Sequence, residues 1–553
     1  MNRKTLVLPA VVGLLAPVLA ACGGSDSGSK SGDAIVVGTT DRFTASKDAP
    51  APMDPAYAYD VGTWNILRQT VQTLMIQPKG DGDPVPDAAE KCGFTDSGNE
   101  RYACTLREGL KFASGEPITA ADVKFSVDRA ISINADSGVA GLLSTVDTVE
   151  TQGDREVIFH LNTADAIFPY KLSTPVAAIV NPKDYEKDKL RDGFAVDGSG
   201  PYTLKANVKN GEMVDGVFTK NPNYQGALKL NNDKVQMRSF ADADAMGDAL
   251  DKGDIDVMTR SMSPEQIRKL SAAKDSKVGI VETAGLEIRY LAFNTDAPTV
   301  KSKAVREAMA QIINRSELVS EVYGTQAEPL YSMVPATITG HSNAFFNRYG
   351  DPSVANARSL LEKAGVTTPV KLTMHYTTDH YGPATKKEFE ILRQQLNSSG
   401  LFDIDIQGTP WDTFRPAEKK GQYDVYGMGW FPDFPDADNY LAPFLDKGNT
   451  LNTPYANSDI RTKLIPDSRR QADRLSASAS LTKIQDIIAS DVPLIPLWQG
   501  KQYVAARDNI TGTAYALNSS ATLQLWARAR VVRGTSPTTN GDGPPPRTSG
   551  SGA

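Results

Sequence analysis

Three cysteines and four histidines in 553 residues leave little material for metal or thiol chemistry. The histidines are His160, His341, His375 and His380. They form no HExxH; His375 and His380 are five apart with the first on a strand, which leaves a shared metal as an unsupported alternative to the packing or surface roles expected for all four. No GxSxG elbow, Walker loop or dinucleotide fingerprint occurs. Ser27-Gly28-Ser29-Lys30 matches SxxK formally, yet no helical pattern or KTG partner follows it. Positive charge is nowhere concentrated. Lys and Arg number 59 against 66 Asp and Glu, a net charge of −7, and no basic block is long enough to follow a phosphate backbone, which excludes nucleic acid as a partner. Long apolar runs are missing after the first twenty or so residues, so nothing later in the chain reads as a bilayer span. What remains, 40 % hydrophobic and 23 % charged, is the composition of a folded, water-soluble body with three or four packing units.

The exceptional apolar run gives an address. Asn2, Arg3 and Lys4 make a short positive region, residues 5 to 19 are almost wholly apolar, and the run closes on Leu19-Ala20-Ala21-Cys22, which is the pattern of a secretory signal peptide over 1–21. Small residues directly before a cysteine resemble the lipobox of bacterial lipoproteins. That resemblance implies a diacylglyceryl group on Cys22, which becomes the new N-terminus; the alternative is an ordinary signal with a chance cysteine at its end. Two acyl chains suffice for stable anchoring where one binds marginally. The expected location is therefore the extracytoplasmic face of the cell membrane, the periplasmic side in a two-membrane envelope. Residues 22–33, rich in Gly and Ser, read as a lipidated flexible tether. Export leaves Cys92 and Cys104 in an oxidising compartment, where a disulfide is expected; a metal pair is the alternative, with neither a nearby His nor a second CxxC to support it.

Further along, 34–40 reads as a buried strand. Thr119 and Asp122 match a capping box, followed by Val123, Val127, Ala130 and Ile131 at helical spacing. Val305, Ala308, Met309, Ile312 and Ile313 predict a helix over 302–323, ended by Gly324. Val370, Leu372, Met374 and Tyr376 alternate, a helical pattern runs through Phe389, Leu392 and Leu396, and Phe402, Ile404 and Ile406 alternate again: a βαβ unit. A last helix ends near Ser490, ahead of Pro493 and the extended PLIPLWQ and QYVAA. The fold class is α/β. Asp242, Asp244, Asp248, Asp251, Asp254 and Asp256 miss the EF-hand spacing and read as a solvated helix face before a turn and strand. The tail 533–553 has too much Pro, Gly, Ser and Thr to bury anything and reads as disordered.

Several segments together resemble the peptide/nickel class of bacterial extracellular solute-binding proteins, the receptors of ABC importers. They are CTLREGLKFASGEPITAADVKFSVDRA from 104, VDGSGPYTL from 196, NPNY from 221, ALDKGDIDVM from 249, YLAFNTDAP from 290 with KAVREAMAQIINR, DPSVANARSLLEKAGV from 351, YDVYGMGWFPDFPDADNYLAPF from 423 and IQDIIASDVPLIPLW from 484. The resemblance implies a two-lobe, hinge-closing, type II periplasmic-binding-protein-like fold. Lobe one is expected at 34–62, 190–283 and 498–532, an extra inserted domain at 63–189 and lobe two at 284–497. It further implies a monomer that needs no cofactor, does no covalent chemistry, captures a small peptide or similar solute, and hands it to ABC permease subunits in the membrane. Two departures are the absence of a tryptophan after NPNY and the Cys92/Cys104 pair, which many relatives lack.

For the site, Tyr423 to Trp430 reads as a strand with Val425, Gly427 and Gly429 on one face. Interior glycines weaken a strand unless something approaches the backbone closely, and a ligand is one candidate. After it, Trp430-Phe431-Pro432-Asp433-Phe434-Pro435-Asp436 is stiffened by two prolines. In the peptide-binding members the acidic residue three after the tryptophan pairs with the ligand's α-ammonium, here Asp433; the alternative is that Asp433 caps a local turn and Trp430 is ordinary core. Alternation puts Tyr290, Ala292 and Asn294 on the face free to meet ligand, the alternative for Asn294 being a residue that caps a turn. Tyr57 and Tyr59 fall in the family's first cleft loop, and Trp64 begins the inserted domain. The candidate ligand contacts are thus Asp433, Trp430, Phe431, Gly429, Tyr290, Asn294 and Tyr57. Alternative cargoes on the same fold are a nickel or metallophore complex, or an oligosaccharide stacked on Trp430 and Trp411. From another class, a cell-wall hydrolase or transpeptidase is opposed by the lack of an activated nucleophile.

Overall fold

The computed structural model describes residues 34–530 apart from 48, 79–81, 136–137, 261, 274–276, 450–452, 519–522 and 526–528. The expected leader, Cys22 with its tether, and the tail 533–553 lie outside the described residues. In chain order the elements that place the site are β1 (Ile35–Thr39), α1 (Val61–Thr70), β2 (Ala89–Phe94), β3 (Arg101–Leu106), α2 (Ala120–Ile133), β4 (Val146–Gln152) and β5 (Glu156–Leu161). Then come β6 (Tyr202–Lys209), β7 (Glu212–Lys220), β8 (Lys234–Ser239), β9 (Val257–Thr259) and β10 (Val278–Phe293). The rest are α3 (Lys303–Ile312), α4 (Arg315–Val322), β11 (Ala327–Pro329), β12 (Val370–Thr377), α5 (Thr385–Ser398), β13 (Phe402–Thr409), β14 (Val425–Trp430), α6 (Ser478–Asp491) and β15 (Leu494–Arg507).

One eleven-stranded mixed sheet runs β13-β12-β14-β10-β15-β9-β1-β8-β7-β6, with β11 added on β15. Its two long strands, β10 and β15, pair antiparallel from Val278–Arg507 to Ala292–Leu494 and so join both ends of the sheet. Their register breaks between Ala284 and Ile288, where three residues of β10 face Gly500 alone, and again between Arg289 and Tyr290. Such bulges bend and re-aim a strand pair. On one side of the break the apolar core draws on residues from Leu286 to Trp498; on the other it joins Ile35, Val37, Phe218, Val235 and Val504. A third core spans Ala56 to Ile179 around a separate sheet, β2-β3-β5-β4.

Alternation builds that small sheet: Tyr102, Cys104 and Leu106 of β3 point inward. Cys104 lies directly opposite Cys92 and the two are disulfide-bonded. Thr119 and Asp122 form the capping box of α2, as expected. The 370–406 βαβ unit is present, with β12 and β13 parallel on either side of α5 in sequence. The helix predicted over 302–323 is instead two. Asn314 takes an extended backbone, its side chain accepts the Glu317 N–H at 3.1 Å, and its own N–H goes to Gln395 Oε1 at 3.0 Å, so a side chain that competes for backbone bonds ends one helix and caps the next. Among the described residues no helix is long and apolar enough to cross a membrane.

Candidate functional site

A cavity of about 950 Å³, counting space open to solvent, sits at the register break. Glu287 and Arg289 of β10 and Trp498 of β15 enter it from the strands themselves, Arg260 from the end of β9, and Tyr381 and Phe431 from loops on the far side of the break. Arg289 stands opposite Gly429 on one neighbour and Trp498 on the other. Its guanidinium lies 4.1 Å from the Tyr381 ring centre and 5.0 Å from that of Trp498, and it is ion-paired to Glu287. Behind it Glu388 accepts from Tyr323 Oη at 2.5 Å and Trp498 Nε1 at 2.8 Å; burial holds its carboxyl above the usual range. His380 stacks on Trp411 at 3.8 Å, and burial, with Arg260, Arg289 and Arg415 nearby, pushes its imidazole down to about 3, so it faces the cavity neutral.

Asp433 lies two residues past Phe431, in the extended stretch the prolines impose, and is buried. Asn439 clamps it, accepting the Asp433 N–H at 2.8 Å and donating Nδ2 to Oδ2 at 2.9 Å. Tyr59, just before α1, reaches the same oxygen at 3.5 Å, and Arg68 of α1 donates to the Asp433 carbonyl at 3.3 Å. Oδ1 has no hydrogen-bond partner among the described residues. Burial raises the carboxyl to about 6. Among the described residues, Gln326 Nε2 also donates to the Pro264 carbonyl at 3.1 Å, and Arg260 lies 5.3 Å over the Phe431 ring.

Of the residues expected from sequence, Phe431 lines the cavity, and Asp433 lies on the contact between the two sides. Tyr290 is buried, edge-on to Phe444 at 5.1 Å, and both faces of its strand pack. Trp430 is likewise buried against Phe444, at 5.5 Å. Asn294 donates to the Gly421 carbonyl at 3.1 Å, at the end of β10 away from the break, and Tyr57 is half-buried outside the cavity lining. The glycines of β14 do admit close neighbours, but these belong to the protein: a Cβ at Gly427 would lie 2.3 Å from Phe389, and one at Gly429 1.9 Å from Arg289 Nη1. Arg289, Glu287, Arg260 and Trp498 were missed. The available signal was a pair of charges, Glu287 and Arg289, one residue apart inside the apolar run from Leu286 to Phe293.

The profile of bacterial extracellular solute-binding proteins, family 5 Middle, matches residues 83–452, more than half of the chain. The chain belongs to this family. Among curated relatives it is 24 % identical over 510 residues to the oligopeptide-binding protein OppA of Bacillus subtilis, covering 87 % of this chain and 91 % of OppA. It is 26 % identical over 481 residues to the probable D,D-dipeptide-binding periplasmic protein DdpA of Escherichia coli, covering 84 % and 90 %. Among solved structures it superposes on the ABC transporter-associated periplasmic binding protein DppA of Helicobacter pylori, determined in complex with the peptide STSA. That match has a TM-score of 0.77 and 20 % identity over 90 % of this chain and 98 % of that one. The family's two-lobe fold is thus the fold of this chain.

Proposed function

We propose that this protein is the extracytoplasmic, lipid-anchored receptor of an ABC importer, taking up short peptides between two lobes and passing them to permease subunits as a monomer. The lobes are 34–62, 190–283 and 498–532 for the first and 284–497 for the second, with 63–189 inserted; Cys22 carries the lipid. The observation that carries the reading is Asp433: a buried carboxylate with one oxygen held by Asn439 and Tyr59 and the other without a partner, at the contact between the two sides of the cleft. A peptide ammonium meeting Oδ1 gains a charge-assisted hydrogen bond away from water. Relatives named for oligopeptides and dipeptides support peptide as the guest.

The protein binds and releases its guest unchanged. Membership of the solute-binding family supports this reading. The other cargoes have less support. Trp430 is packed into the core, Trp411 already carries His380 on one face, and among the described residues no three His, Cys, Asp or Glu side chains are grouped to hold a metal. Calorimetry with a mixture of dipeptides and tripeptides tests the reading: wild type binds, and Asp433→Ala loses binding. Equal affinity in the two overturns the ammonium anchor. Fractionation of cells expressing Cys22→Ala tests the anchor, with release from the membrane expected.

A further inference from the structure

A second cavity, of about 550 Å³ counting space open to solvent, lies beside the Asp433 loop. Its walls come from 68–87, 173–201 and 518–524, and among the described residues none of 284–497 lines it. It adjoins the first cavity at two places. Leu517 lines the larger one and Asn518, the next residue, lines this one. Arg68 of α1 lines it too, while its Nη2 donates to the Asp433 carbonyl at 3.3 Å and its Nη1 to the Ser173 carbonyl at 3.1 Å.

Three polar atoms in this lining are left over. Arg68 Nε, Gln77 Nε2 and Gln524 Oε1 are shielded from water and have no hydrogen-bond partner among the described residues. The two glutamines are 4 % and 5 % exposed. Folded proteins pair nearly all such atoms, and three of them in the wall of one cavity point to an occupant with matching groups. Their neighbours are satisfied. Gln69 donates to the Asn65 and Leu523 carbonyls at 3.2 and 3.3 Å. Asp87 accepts from Tyr224 Oη and the Ala227 N–H on one oxygen, at 2.9 and 2.8 Å, and from Gln72 Nε2 on the other at 3.1 Å.

Charge narrows the choice of occupant. Among the described residues the lining holds one cation, Arg68, and one carboxylate, Asp87, and the Asp433 carboxylate also acts on Arg68. A guest carboxylate adds a third negative group around one guanidinium, and an ammonium meets two N–H donors and a single acceptor. A primary carboxamide matches all three atoms: its oxygen accepts from Arg68 Nε and Gln77 Nε2, and its NH2 donates to Gln524 Oε1. Val71, Ile76 and Pro175 supply apolar surface for the methylenes that carry it.

We infer that this cavity is a carboxamide pocket, which takes the side chain of an asparagine or glutamine at the guest's first residue while Asp433 holds that residue's ammonium. Arg68 links the two, lining the pocket and fixing the Asp433 carbonyl. The receptor is then selective for a side chain at one position. Assigning the amide to a peptide rests on the peptide-receptor reading, while the match between pocket and amide does not.

The experiment has two arms, on full-length folded protein checked by its melting temperature. In the first, the dipeptides Gln-Ala, Met-Ala and Glu-Ala are titrated into wild type, Gln77→Met and Gln524→Met. Methionine matches glutamine in length without its hydrogen bonds, and glutamate exchanges the amide for a carboxylate. Wild type is expected to bind Gln-Ala about tenfold more tightly than either of the others or better, with the difference lost in both variants. Equal binding of the three by wild type overturns the pocket while leaving the receptor reading standing. If none binds, the peptide reading falls, and the second arm decides the pocket. There, saturation-transfer NMR compares propionamide with propionate. Transfer to propionamide alone, lost in both variants, upholds the carboxamide pocket with a free small amide as its occupant; transfer to neither, or to both alike, overturns it.

Discussion

Gly285 and Gly500 meet backbone to backbone where the register of β10 and β15 breaks: a Cβ on Gly285 would stand 2.3 Å from the Gly500 carbonyl oxygen. A backbone atom cannot swing aside as a side-chain tip does, so the two long strands come this close only because Gly285 carries no side chain. The break is also where the sheet passes from one core to the other.

Gly285→Ala is accordingly expected to push the strands apart, lowering stability by about 1–3 kcal/mol, the usual range for overpacking, and widening the cleft. Gly279→Ala is the matched control. It lies on the same strand, its Cβ would meet nothing within 4 Å, and its effect is expected within about 0.5 kcal/mol. Thermal melts and scattering of the two variants check this; equal behaviour would remove Gly285 from the hinge.

Asp433 gives peptide binding a pH dependence. Its carboxyl is raised to about 6 chiefly by burial, so without a guest it is neutral below that pH and charged above it. A peptide ammonium pairs with the carboxylate only. Affinity is therefore expected to be level above pH 6 and to fall by up to tenfold for each unit below it. Asp433→Asn should bind at least about a hundredfold more weakly, with that dependence gone, the cost of leaving a buried charge without its partner. For folding the sign runs the other way. The native pKa exceeds the unfolded one, so this group's stabilisation is complete below the usual carboxylate range and is lost as pH rises through about 6. Calorimetry between pH 5 and 8 separates the two: a rising affinity as pH falls would exclude the ammonium pair.

A second buried charge pair has a structural task. Arg129 of α2 donates Nη1 and Nη2 to Asp54 at 2.9 and 2.6 Å, and its remaining donors reach the Glu186 and Lys189 carbonyls, both at 2.7 Å. Asp54 also accepts the Ala56 and Arg191 N–H groups, at 2.9 and 2.8 Å. The pair ties three chain segments together with both side chains almost fully buried. Arg129→Met leaves Asp54 as an uncompensated buried charge, and a loss of about 3–5 kcal/mol is expected. A melting temperature within a degree or two of wild type would show that the pair is dispensable.

Much of this architecture is visible in the chain because its signals are local. The capping box at Thr119, the alternation of 370–376 and 402–406, and the prolines that keep 431–436 extended each act within a few residues. Asp433 could be marked for the same reason, by its fixed offset from Trp430 in a motif. The cavity lining was not legible, since Arg260, Arg289 and Phe431 are far apart in sequence and are brought together by strand order. Asn314 shows the opposite failure: the apolar stripe through Ile313 continues, but one polar side chain, satisfied by Gln395 from α5, cuts the helix. Tyr290 misleads because alternation marks two faces of a strand without saying that both are covered.

The two glycines of β14 separate packing from recognition. A Cβ at Gly427 would lie 2.3 Å from Phe389 Cζ, the buried ring that holds α5 onto the sheet. That ring has nowhere to go, so Gly427→Ala is expected to lower stability by about 1–3 kcal/mol and to leave peptide affinity unchanged once the protein is folded. A Cβ at Gly429 would lie 1.9 Å from Arg289 Nη1 and 3.0 Å from Tyr381 Cε1. Nη1 ends a long flexible side chain beside a cavity, so the guanidinium can swing out of the aromatic box at little cost to the fold. Gly429→Ala should therefore melt near wild type yet bind peptide more weakly, because Arg289 leaves the cavity wall it lines. Paired melts and titrations of the two alanine variants decide the matter, because a Gly429→Ala protein that is destabilised as much as Gly427→Ala while keeping full affinity would place Arg289 in the packing and not in the grip.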